Sequence, residues 1–172
     1  MTAMNDQQDN VARFHGDTTR AAKRLEIVHE KRLKCRLGCR SCCVDDLTVF
    51  AVEADHIRHH HDALLRTGVP HAKGMCAFLD AEGGCRIYDQ RPYVCRTQGL
   101  PLRWLEQRAD QTVELRDICP LNDENVVLDP LEALPIEACW TIGPFEDRLA
   151  ALQLVSSGGA ERMSLRDLFV TK

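Results

Sequence analysis

Four thiols stand within nine residues at Cys35-Arg36-Leu37-Gly38-Cys39-Arg40-Ser41-Cys42-Cys43, and no other stretch restricts the fold as strongly. Gly38 lets the backbone turn back, so several sulfurs of this C-x3-C-x2-C-C run can face one point. Thiolate is the soft donor that selects zinc, copper(I) or iron–sulfur centres. Four further cysteines follow at wider spacing, Cys76, Cys85, Cys95 and Cys119. The ninth, Cys139, lies beside Trp140 in an apolar stretch and reads as a buried core residue.

Composition decides what these thiols are for. The N-terminus has no apolar segment of the secretory kind, and no run of apolar residues is long enough to span a bilayer. The chain is therefore expected in the cytoplasm, where thiols stay reduced and cysteine clusters serve metals or catalysis. The odd total of nine and the adjacent Cys42–Cys43 pair also suit a disulfide framework poorly. Aromatic residues make up only 5% of the chain, so its core is mainly aliphatic and would gain from a metal staple. Net charge is −4, unevenly spread. Residues 17–40 hold eight Lys and Arg against three Asp and Glu. That basic face is either a solvated helix surface or a collar for an anionic partner. The acidic total and the few aromatics disfavour nucleic acid.

Along the chain, residues 1–16 are polar and aperiodic and read as a disordered tail. Asp17 or Thr18 can cap a helix to about Lys34, with Ala21, Leu25 and Val28 as its apolar stripe. Leu47–Phe50 reads as a short strand. Val52 to about Arg66 reads as a helix whose His56, His59 and His60 lie on the surface and His61 partly on the apolar face. Gly83-Gly84 marks a tight hairpin carrying Cys76 at one end and Cys85 just past its turn. Pro92 starts a helix with Cys95 in its first turn and a half. Residues 97–118 look irregular, with a loop or strand at Leu100–Trp104 and another strand at Val113–Leu115. Asp129-Pro130 begins a helical region that Pro135 interrupts, a helix spans about Pro144–Leu154, and Ser164 caps a last short one.

The expected fold is α-rich α+β: a small irregular metal-stapled domain with one short β-hairpin and a C-terminal helical appendage. Its divisions are a tail at 1–16, a cysteine-cluster metal-binding domain at 17–128, and a helical segment at 129–172 packed on it.

The cysteine run, Cys76, and Cys85-Arg-Ile-Tyr88-x2-Arg91-Pro92-x2-Cys95-Arg96 together resemble the YkgJ-type cysteine-cluster family, over roughly residues 35–120. The resemblance implies chelation of zinc or iron by Cys35, Cys39, Cys42, Cys43, Cys76, Cys85 and Cys95, with Cys119 added. A related domain occurs in flagellin lysine N-methylases, which extends the implication to an iron-dependent enzyme or redox protein linked to protein lysine methylation.

Two closed four-thiolate zinc sites, or one iron–sulfur cluster with thiolates left over, both suit eight sulfurs. The C-x3-C-x2-C spacing also matches radical-SAM enzymes, but their repeated strand–helix units are missing and Cys43 would close the open iron position. Tyr88, Arg91 and Arg96 are the candidates for donating hydrogen bonds around the thiolates. Alternatively, Tyr88 packs in the core while the arginines pair with Asp80, Glu82 or Asp89. Three functions follow: a metal-binding protein, an iron-dependent enzyme or redox protein, and a regulatory or nucleic-acid-binding zinc module.

Overall fold

The computed structural model describes residues 2–35, 38–123 and 129–170, with side chains from residue 6 onward. Its elements are α1 (Thr2–Val28), β1 (Thr48–Phe50), α2 (Ala51–Thr67), α3 (Tyr93–Arg96), β2 (Leu102–Arg108), β3 (Gln111–Asp117), α4 (Pro120–Asp123), β4 (Trp140–Thr141), α5 (Pro144–Ser157) and β5 (Arg162–Ser164). Single 3-10 turns occur at Tyr88–Gln90, Leu131–Ala133, Ile136–Ala138 and Arg166–Leu168. Helices joined to two small sheets make this the helix-rich α+β fold expected. The chain divides into two compact units that interleave in sequence. The first takes Met1–His15, Leu37–Pro92 and Leu149–Lys172, the second Gly16–Arg36 and Tyr93–Arg148. The boundary expected at residue 128 lies outside the described residues.

In the first unit, β1 and β5 pair antiparallel, Val49 opposite Met163. The core gathers Val49, Ile57, Phe78, Leu79, Ile87, Leu165 and Phe169. Helix α2 buries Val52, Ala54, Ile57 and Leu65. The fully buried Gln153 accepts the Val52 N–H at 2.8 Å, satisfying one of the orphan donors of the first turn. At the other end Gly68 N–H bonds Leu64 O at 2.8 Å, and Pro70 prevents continuation.

Residues 2–16 are not a tail but the first half of α1. Local composition hides this, since among the residues whose side chains are described its large apolar anchors there are Val11 and Phe14, both buried. Polar bonds within the unit complete the attachment. His15 donates Nε2–H to Glu53 at 2.8 Å, and His56 donates Nδ1–H to the Gln8 side-chain amide oxygen, Oε1, at 2.8 Å. His56 is therefore buried, at 4% exposure, rather than superficial. His61 is half-buried as expected and bonds Gln90.

In the second unit the extended hairpin is β2–β3, running from Leu102↔Asp117 to Arg108↔Gln111. Its two-residue turn, Ala109-Asp110, places Ala109 at φ 49°, the left-handed conformation such turns require. Strand β4 joins β2 in parallel. The expected hairpin at Gly83-Gly84, in the first unit, is a turn closed by one bridge, Leu79↔Cys85. Helix α1 ends at Val28 instead of continuing to Lys34. Beyond it, the chain turns so that His29 and Arg32 reach the carbonyls of Ala138 and Asp129. After Asp129 the expected helix is two 3-10 turns, one following each proline. Leu134 precedes Pro135 and is held extended, so the first turn cannot propagate. Ile118, Leu131, Leu134 and Cys139 form a small apolar cluster there. Trp140 donates its indole N–H to the Tyr93 hydroxyl at 3.0 Å. Among the described residues, no helix is long and apolar enough to cross a membrane.

Candidate metal centre

The cysteines divide between the units. Cys39, Cys42, Cys43, Cys76 and Cys85 belong to the first, and Cys35, Cys95, Cys119 and Cys139 to the second. All nine are thiols outside any disulfide.

In the first unit the knuckle turns at Gly38, whose φ of +85° is the conformation anticipated there. The returning chain then meets the second cysteine block: Cys76 N–H bonds Cys43 O at 2.9 Å. Cys76 is buried in the apolar core, and Cys43 and Cys85 pack against it. The turn between Cys76 and Cys85 is fixed by Asp80, whose carboxylate accepts the Gly84 N–H at 2.6 Å. The Cys43 thiol donates to the neighbouring sulfur and draws Cys42 from its ordinary 9.0 down to about 6, against the opposing effect of burial. Burial pushes Cys76 and Cys85 the other way, raising both. Nearby guanidinium groups oppose that rise: Arg166 and Arg86 act on Cys76, Arg91 and Arg86 on Cys85.

Arg166 is the residue that sequence reasoning missed here. Its Nε donates to Asp45 at 2.5 Å, while Nη1 reaches His71 O at 2.8 Å and Nη2 reaches Met75 O at 2.9 Å. Asp45 also accepts the Gly74 N–H at 3.0 Å. One guanidinium thus ties the loop after Cys43 to the loop before Cys76. Arg86 adds bonds to the carbonyls of Ala77 and Phe78. Arg86 follows Cys85 directly and could have been suspected. Arg166, eighty residues away in sequence, gave no local signal.

In the second unit, Cys35 is exposed and Cys95 and Cys119 are partly buried. Cys95 lies in the short α3 that follows Pro92, as expected, and α4 begins immediately after Cys119. Cys139 is buried and its thiol raised by that burial, in keeping with a core role. Asn122, with no exposed surface, donates Nδ2–H to the Cys35 sulfur at 3.5 Å.

Of the three expected outer donors, Tyr88 and Arg91 belong to the first unit and Arg96 to the second. Tyr88 is 59% exposed, so it is not a core residue; Arg91 stacks over its ring at 3.9 Å and donates to its carbonyl. Arg96 donates to the Thr19 hydroxyl at 2.9 Å.

The donor chemistry suits a soft or borderline cation: reduced thiols, one drawn toward thiolate, with guanidinium charge close by. Among the described residues, no three His, Cys, Asp or Glu side chains already stand in an ion-holding arrangement.

No curated protein and no solved structure matches the chain. A family model does match, over residues 34–120, just over half of the chain and the span that carries all eight clustered cysteines. The unbridged thiols and that match lead to one assignment: the chain belongs to the CxxCxxCC family, described as "Putative zinc- or iron-chelating domain".

Proposed function

We propose that this protein binds zinc or iron through the thiolates of Cys35, Cys39, Cys42, Cys43, Cys76, Cys85, Cys95 and Cys119. The observation that carries the reading is the junction of the two cysteine blocks, where Cys76 bonds the Cys43 backbone and both pack with Cys85. A protein that merely needed apolar filling there would gain nothing from drawing Cys42 down to about 6. A bound ion would supply a staple whose binding free energy is also folding free energy. The chain's own part is to deliver the sulfurs. Arg166 and Asp45 hold two of the delivering loops at fixed separation, and the core holds Cys76 and Cys85. The side chains must still rotate to converge, and Cys76 and Cys85 must release protons that burial favours keeping. Arg86, Arg91 and Arg166 offset the negative charge so produced. Unbridged thiols suit a reducing compartment such as the cytoplasm.

Metal content of anaerobically purified protein, with an absorption spectrum of the same sample, tests this. Colourless protein with stoichiometric zinc makes the centre a structural chelate. Brown protein with iron and acid-labile sulfide makes it an iron–sulfur centre and opens the redox and enzymatic reading. Protein with neither metal, and with its full count of titratable thiols, overturns the proposal.

A further inference from the structure

We infer that Asn122 is a positioning residue for the metal centre, aiming the Cys35 thiolate through a side-chain N–H···S bond. The inference rests on the metal-binding reading above and adds to it a residue just beyond the family span. Asn122 lies in the short α4 and has no exposed surface, so each polar atom of its amide needs a protein partner.

The partners fix which way round the amide sits. Lys34 N–H can only donate, and it lies 2.8 Å from Oδ1. Gly99 C=O can only accept, and it lies 2.8 Å from Nδ2. The remaining N–H of Nδ2 then has the Cys35 sulfur at 3.5 Å, within reach of a hydrogen bond to sulfur. The Asn122 backbone N–H bonds Cys119 O at 2.7 Å. One buried residue therefore ties together Lys34 and Cys35, the loop four residues after Cys95, and the turn begun by Cys119.

Gly99 forms the other wall. Its φ is +90°, and a β-carbon there would stand 2.7 Å from the Cys35 sulfur and 3.3 Å from the Asn122 amide nitrogen. Only glycine allows that approach. Cys35 as a residue is exposed, so packing does not fix its side chain. The amide does. An N–H donor to a ligating sulfur offsets its charge and holds its lone pairs in one direction, the role that outer partners play around metal ligands.

The test is cobalt(II) titrated into metal-free protein, read by the thiolate-to-cobalt absorption band and by competition with a chelating dye, with circular dichroism as the check on folding. Asn122→Asp keeps an acceptor for Lys34 and removes both N–H groups of the amide, the one aimed at sulfur and the one bonded to Gly99 O, so the Cys35→Ser background is what isolates the sulfur bond. It is expected to lower cobalt affinity roughly 10–100-fold and to shift the band. In the Cys35→Ser background the same change is expected to cost less than about twofold, because the sulfur it acts on is gone. Gly99→Ala, which keeps both amide N–H groups of Asn122 but crowds the sulfur at 2.7 Å and, less closely, the amide nitrogen at 3.3 Å, should show the same dependence on Cys35 and decides the matter if Asn122→Asp does not fold. Equal losses with and without the Cys35 sulfur would make Asn122 a structural residue only and overturn the inference while metal binding stands. Failure of the unmodified protein to take up cobalt would overturn both.

Discussion

Cys76 in the first unit and Cys35 in the second stand in opposite settings. In the first, Cys76 is buried and Cys43 and Cys85 pack beside it in a large apolar core, so hydrophobic burial sets the positions of the sulfur-bearing loops. In the second, the apolar cluster is small, Cys35 is exposed, and one buried amide donates to its sulfur. Burial fixes position firmly but disfavours the thiolate, which is why Cys76 and Cys85 are raised. A polar cradle fixes position through fewer contacts but favours the charged sulfur. Arginines repair part of that cost in the first unit.

The largest expected effect breaks the apolar side of this contrast. Phe78 is 1% exposed at the centre of the first unit's core, and Phe78→Ala should cost about 3–5 kcal/mol in urea unfolding. If the units hold their thiols independently, Cys76 and Cys85 become faster to alkylate in the metal-free variant while Cys139 stays protected. Equal loss of protection at Cys139 would mean that the two settings are one.

A smaller effect sharpens the electrostatic half. In metal-free protein the alkylation rate of Cys42 should rise with a midpoint near pH 6, while Cys76 and Cys85 respond only above the ordinary 9.0. The folded value of Cys42 lies below its unfolded value. Its ionisation therefore adds stability that is fully present above pH 9 and is lost as pH falls through about 6. Cys43→Ala, which removes the donor, should move the Cys42 midpoint upward; an unchanged midpoint would assign the shift to another cause.

The smallest effect concerns Tyr88, stacked with Arg91 on the surface. Tyr88→Ala should change thermal stability by no more than about 0.5 kcal/mol. A larger loss would show that the stack orders the loop after Cys85.

Much of the local structure was legible because its signals are local. Helix α2, the strand at Thr48–Phe50, the turn at Gly38, the short helix after Pro92 and the helix from Pro144 all follow from periodicity, glycine and proline. The last short helix expected after Ser164 is a single 3-10 turn capped by Leu165 rather than Ser164, although the Ser164 hydroxyl accepts the Arg166 N–H at 3.2 Å. The helical start of α1 was not legible, since Val11 and Phe14 become anchors only once α2 supplies Glu53 and His56 to the same unit.

The sequence by itself determined the chemistry: soft donors, clustered in two blocks and bearing a family pattern that spans 34–120. Only the tertiary structure decided how those donors are divided and held. The division depends on which segments share a core, and the holding depends on Arg166 and Asn122. Neither residue carries a mark in sequence, because one arginine among many and one asparagine near a proline gain their roles from partners 91 to 121 and 23 to 88 positions away.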